Sequence, residues 1–281
     1  MVDITISLTG VNGDTITFGN DEFILTSGVR GFGIPQTALR IDSSAGEGGV
    51  FRYSKRDVRE LDLPIMVTGS DRDDVDSKLR RLANLLRGKT ALIASYSDGT
   101  QYELDVYYAG GAETQYGEDA GATFCKWVLT VKAPQPYWVS VQPQSFWVSG
   151  APGTVGLLPQ LSRLQLSSSQ ALGTITVQNN GDVDAPPIWV INGPATNVAI
   201  TLNGVGFQYT AALAIGDTIT IDTDSGTVVD QTGANKYANL SAAPKLFAIP
   251  SGISNISITA TGSGSSTKIS GFFQPRREVI H

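Results

Sequence analysis

Short runs of alternating apolar and polar residues, cut every few positions by glycine, asparagine or aspartate, cover almost the whole chain and restrict it to a β-rich fold. Val2, Ile4, Ile6 and Leu8 share one parity, the turn residues Asn12, Gly13 and Asp14 follow, and Ile16 and Phe18 open a second short strand. Residues 91–96 and 101–108 are two more strands separated by the turn Ser97, Asp98, Gly99 and Thr100. Cys125, Trp127, Leu129 and Val131 alternate along residues 124–132, which makes Cys125 one buried member of a strand face. Residues 23–39 read as strand fragments joined by bends at Gly28, Gly31, Gly33 and Pro35. Residues 50–67 read as strand again, with Leu61, Leu63, Ile65 and Val67 on one face. Pro64 lacks a ladder donor, which favours an edge position. The small and acidic stretch 42–49 predicts an exposed, mobile loop, and so does 110–121.

Only residues 71–87 carry a helical period. Val75, Leu79, Leu82 and Leu86 form one stripe, Ser70 suits the N-cap, and Asp71, Asp73 and Asp74 crowd the first turn, where the helix dipole favours anions. Arg80, Arg81 and Arg87 lie further along, and Gly88 stops the helix. Such a stripe needs a sheet to rest on.

A change of composition divides the chain. Of the 26 acidic residues, 19 fall within the first 140 positions. The join carries Pro134, Pro136, Tyr137 and Trp138, so the expected domains are 1–136 and 137–281, with 137–165 as a linking segment. The second half reads as short strands at 173–179, 187–192, 197–202, 206–211, 217–222, 227–229, 245–249, 254–261 and 268–274, the pattern of a sandwich or jelly roll.

Chemistry is sparse. Net charge is −6, and the basic clusters are short (Arg80 with Arg81, Arg276 with Arg277), so no direct nucleic-acid binding is expected. Neither a signal peptide nor an apolar run of membrane-spanning length is visible, which predicts a soluble product made in a cytosol. Cys125 is the only cysteine and His281 the only histidine, which leaves no thiolate zinc site and no nucleophile–base pair. Asp182 with Asp184 and Asp222 with Asp224 sit beside turn residues and read as solvated carboxylates, with a calcium loop as the sharper alternative. The acidic run 71–76 is explained by the helix start. Gly28, Gly31 and Gly33 lack the lysine and the following helix of a phosphate loop. Trp189, Phe207, Tyr209 and Tyr237 would make a sugar platform if they faced outward, although strand aromatics more often fill a core. No catalytic, cofactor or metal residue is therefore assigned, and the chain is expected not to be an enzyme.

Three segments carry a resemblance: VQNNGDVDAPPIWVINGP (177–194), IGDTITIDTDSG (215–226) and FAIPSGISNISITATG (247–262). In order, they resemble the signature of the siphophage distal tail protein family: a strand ending in Asn-x-Gly, a proline before a strand leading to Gly-Pro, a Gly-Asp opening a strand that ends in Ile-Asp, and a Pro-Gly turn before a last β-run. The N-terminal half is similar too, through the strand from Arg59 to Val67, the helix, Asp98 and Gly99, and Pro136, Tyr137 and Trp138 at the exit. The resemblance implies a mainly β chain with an N-terminal tail-tube-like β-barrel or sandwich, one flanking helix, and a C-terminal galectin-like β-sandwich projecting outward. It also implies a structural subunit of the virion tail, assembled in the host cytoplasm, whose hexameric ring joins the distal end of the tail tube to the baseplate or tip. The partners implied are the tail tube protein, the tape-measure protein and a tail-associated adhesin or tip protein. The alternative is a carbohydrate-binding module contributing to host attachment.

Overall fold

The structure is a computed structural model that describes residues 4–113, 117–150 and 171–280. The chain is mainly β, with one α-helix among the described residues, and divides into two compact units. The first comprises residues 1–141 with 277–281, and the second residues 142–276.

The first unit holds β1 (Ile4–Gly10), β2 (Thr15–Thr17), β3 (Phe23–Leu25), β4 (Thr37–Ser43), β5 (Gly49–Arg56), β6 (Arg59–Thr68), α1 (Arg72–Leu85), β7 (Thr90–Tyr96), β8 (Gln101–Gly110), β9 (Phe124–Ala133) and β10 (Trp138–Ser140). Antiparallel pairing in the order β2-β1-β7-β8-β9-β6-β3 makes one sheet that curls into a nearly closed barrel. β8 turns the corner by changing partner: residues 101–106 pair with β7, and residues 107–110 pair with β9 across a bulge between Tyr108 and Gly110. Leu61, Leu63, Ile65 and Val67 on β6 and Leu129 and Val131 on β9 are almost wholly buried. Each such side chain contributes about 1.5–3 kcal/mol relative to exposure.

α1 packs on β1, β6 and β9 through Val75, Leu82 and Leu85, with Leu79 half-buried and Leu86 just past the last turn. The N-cap is Asp71, not Ser70: its carboxylate accepts from the Asp74 amide at 2.9 Å, while Asp74 reaches back to the Ser70 amide at 3.0 Å. This reciprocal pair satisfies two otherwise orphaned donors. Pro64 is not on an edge strand, because β6 is paired with β9 along its whole length and with β3 at residues 65–67. Its nitrogen points to the β3 side, just past the end of β3, where the Thr26 amide donates to the Pro64 carbonyl and no ladder amide is needed from residue 64. Of residues 42–49, 44–48 form an exposed turn as expected, while Asp42 and Ser43 belong to β4 and Gly49 opens β5. Part of 110–121, residues 114–116, lies outside the described residues.

The second unit is a sandwich of two antiparallel sheets. β11 (Gln144–Ser149), β19 (Lys268–Phe273), β13 (Ile188–Asn192), β16 (Thr218–Asp222) and β17 (Thr227–Asp230) form one sheet. β12 (Ala171–Asn179), β18 (Gly252–Thr261), β14 (Thr196–Leu202) and β15 (Val205–Tyr209) form the other. Trp189, Ile191, Ile200, Ile221, Ile256, Ile258 and Ile269 fill the space between them. The expected strand at 245–249 forms no ladder: the Lys245 amide donates to the Gly206 carbonyl of β15, and Ile249 bridges Ala185, which itself lies outside the strands. Conversely, β11 arises within the segment expected to link the domains; residues 151–165 of that segment lie outside the described residues.

The turn after β17 is tied by Asp230. Its carboxylate accepts from the Thr232 hydroxyl and amide, from the Ala234 amide, and from Lys236 at 3.2 Å. These donors, the Thr232 hydroxyl above all, hold its pKa far below the ordinary carboxylate range. A carboxylate depressed on folding contributes stability that is complete above its unfolded value near pH 4 and is lost as pH falls through the lower folded value. An Asp230→Asn variant is thus expected to unfold more readily than the parent at pH 7, with the difference narrowing steadily as pH falls below about 4. Thermal unfolding across that range checks it.

A candidate assembly surface

β4 and β5 pair with each other and join no other sheet. Register places Leu39 opposite Ser54 and Ile41 opposite Phe51, and a bulge between Arg40 and Ile41 accommodates one extra residue on β5. Successive side chains in a strand alternate in direction, so Leu39, Ile41 and Phe51 share one face, while Arg40, Asp42, Tyr53 and Lys55 share the other. The three apolar side chains are 62%, 60% and 59% exposed. On the opposite face Asp42 bridges two guanidinium groups, Arg52 at 2.7 Å and Arg40 at 3.3 Å. Arg40, Arg52 and Lys55 leave that face basic.

A two-stranded ribbon is marginal by itself, and a contiguous apolar patch left in water marks an interaction surface. The foot of this ribbon is nevertheless firmly held. Arg56 donates to both carboxylate oxygens of Glu278, at 2.8 and 2.9 Å, and to the Thr37 hydroxyl at 2.6 Å. The Glu278 hydrogen bonds raise the Arg56 pKa above its ordinary value. Two residues on, Arg59 is 2% exposed and donates to four backbone carbonyls: Pro136 and Gly33 at 2.6 Å, Gly31 at 2.5 Å, and Glu278 at 2.6 Å. Its guanidinium also lies 5.8 Å from the Trp138 ring centre. Burial lowers its pKa to about 10, so it remains a cation at neutral pH. Gly31 is needed beside it: φ is +97°, and a Cβ would press on the Glu60 carbonyl. The ribbon is therefore a free blade on a rigid base.

A second surface lies at the other end of β6. Arg72, Val75, Asp76 and Leu79 of α1 face Phe124 and Trp127 of β9 across a groove of about 440 Å³. Asp71 and Asp73 stand exposed beside it.

The residues considered for chemistry from sequence do not converge. Trp189, Phe207 and Tyr209 are 0–2% exposed and belong to the core of the second unit, leaving only Tyr237 on the surface, so they assemble no sugar platform. Asp222 accepts from the Asp224 and Ser225 amides, and Asp224 pairs with Arg276 at 2.9 Å, as turn carboxylates do. Asp182 and Asp184 are exposed. Cys125 is buried at 4% exposure. Leu39, Ile41 and Phe51 were missed as functional residues. Their signal was the apolar alternation on both sides of the glycine-rich turn at 44–48.

No protein-family model matches the chain, and no curated protein matches it by sequence. Solved structures do. The crystal structure of the Dit protein of phage SPP1, described as a hub of the adsorption apparatus in phages infecting Gram-positive bacteria, superposes with a TM-score of 0.70 at 16% identity, covering 96% of this chain and 98% of that one. A chain of the phage p2 baseplate in its activated, calcium-bound conformation superposes with a TM-score of 0.56 at 11% identity, over 99% of this chain and all of that one. The strontium-bound form of the same baseplate gives 0.56 at 10% identity. The fold of these phage hub and baseplate proteins thus runs through nearly the whole chain.

Proposed function

We propose that the chain is a non-catalytic structural subunit of a phage tail tip, whose first unit closes into a hexameric ring joining the distal end of the tail tube to the baseplate. The observation that carries this reading is the full-length likeness to the SPP1 hub protein, covering 96% of one chain and 98% of the other. The exposed apolar ribbon supplies its physical motive, because apolar side chains left in water are better covered by another surface. Closed rings cover such surfaces without leaving a free end. Within the virion tail the ring would contact the tail tube, tape-measure and adhesin or tip proteins.

The test is native mass spectrometry with negative-stain imaging of the purified chain, alone and with its tail-tube protein. The expected result is a six-copy particle with a central lumen. A chain that stays monomeric at every concentration under both conditions overturns the proposal.

A further inference from the structure

The ribbon and the groove lie at opposite ends of one ladder. β5 ends at Arg56 and β6 begins at Arg59, opposite Ala133 of β9. The groove sits where Thr68 pairs with Phe124 and Ile65 with Trp127, just before α1. Ten residues of strand separate the two ends, a length of about 30 Å. With its base pinned by Arg56 and its own apolar face open to water, the ribbon does not fill the groove of its own chain.

The two surfaces match in chemistry. The ribbon offers Leu39, Ile41 and Phe51 on one face, with Arg40, Arg52 and Lys55 on the other. The groove offers Leu79, Phe124 and Trp127, with Val75 buried at its floor, and along its helical wall Arg72 is outnumbered by Asp71, Asp73 and Asp76. Asp74, which also lies on that wall, is taken up by Lys78 at 3.0 Å. Long basic side chains can lay their aliphatic stems over a rim and place their charges beyond it. An apolar face seated in the groove would therefore leave the ribbon's cations within reach of these aspartates.

We infer that the β4–β5 ribbon of one copy docks in the α1–β9 groove of a second copy of this chain, apolar face inward and basic side chains against the acidic start of the helix. The contact is heterologous, joining two different surfaces, and so propagates head to tail until rotation closes it. This deepens the ring reading and rests on it.

The test places Ile41→Cys and Leu79→Cys together in a Cys125→Ser background and oxidises the purified full-length chain. The expected product is an interchain ladder extending beyond dimers, absent from either single-cysteine variant. Ring-sized particles without a ladder overturn this docking and leave the ring standing. An intrachain disulfide without a mass increase overturns it as well, and a chain that associates neither alone nor beside its tail-tube protein overturns both readings. Because the cysteines themselves perturb packing, a charge exchange provides the second measurement. Lys55→Glu and Asp76→Lys should each raise the concentration for half-assembly about fivefold, and their combination should restore it. Two additive losses with no restoration overturn the docking.

Discussion

Replacing Arg59 by methionine is expected to cost the first unit about 3–5 kcal/mol, because one buried cation satisfies four carbonyls at once. Methionine keeps much of the volume and removes every donor. The carbonyls of Gly31, Gly33, Pro136 and Glu278 would then all lose their donor, that of Pro136 in a buried position. Arg59→Lys should recover only part of the loss, since an ammonium is a point charge and cannot spread its donors as a planar guanidinium does. Arg56→Ala is the contrast. Its ion pair with Glu278 is about 30% exposed at both ends, so its loss should cost about 1 kcal/mol or less. With two units in the chain, one unfolding midpoint does not report this change cleanly. Amide hydrogen exchange resolves it: protection along β6 should fall by roughly 100-fold or more, while β18 in the other unit keeps its rates. A fall in β6 protection of less than about tenfold would show that the four bonds are dispensable.

How far this architecture could be read from residues alone depended on the kind of pattern each part carries. α1 and the strands β7, β8 and β9 were legible because their apolar positions keep a strict period over seven residues or more. Arg59 was only half legible. It shares parity with Leu61, Leu63, Ile65 and Val67 and so points inward, but the carbonyls that accept from it come from residues 31, 33, 136 and 278, which no local pattern connects. Residues 245–249 have the composition of a strand, yet they make one backbone bond to β15, from the Lys245 amide to the Gly206 carbonyl, and otherwise bridge Ala185 outside the sheets, so no ladder forms. The aromatics of the second unit illustrate a further limit. Trp189 and Trp147 both lie on alternating strands of one sheet, but Trp189 is fully buried and Trp147 is 58% exposed, a difference set by which face meets the opposing sheet. The ribbon was the hardest part to read. Alternation in Leu39 and Ile41 and in Phe51 and Tyr53 ordinarily means a half-buried strand, and nothing in the sequence says that the rest of the chain leaves these side chains uncovered.

That last point makes the ribbon the place where fold and assembly should separate most sharply. Ile41→Asp with Phe51→Asp is expected to abolish assembly, leaving the monomer mass at concentrations where the parent forms particles. Both side chains are about 60% exposed in the isolated chain, so the folded monomer loses little by the change. Substitutions at such positions ordinarily alter stability by no more than about 0.5 kcal/mol each. In an assembled interface each carboxylate would instead have to enter an apolar site without a partner, a penalty of several kcal/mol per copy repeated around the whole particle. Sedimentation or native mass measures the first effect, and thermal unfolding of the same samples measures the second. Particles that persist with both aspartates in place would remove the ribbon's apolar face from the interface. A collapse of stability together with assembly would mean that this face supports the monomer's own fold. On the charged face, Asp42→Asn loosens only the exposed pairs with Arg40 and Arg52, at 63% and 57% exposure; it should shift stability by no more than a few tenths of a kcal/mol, while freeing two cations that a docked ribbon would set against acidic side chains.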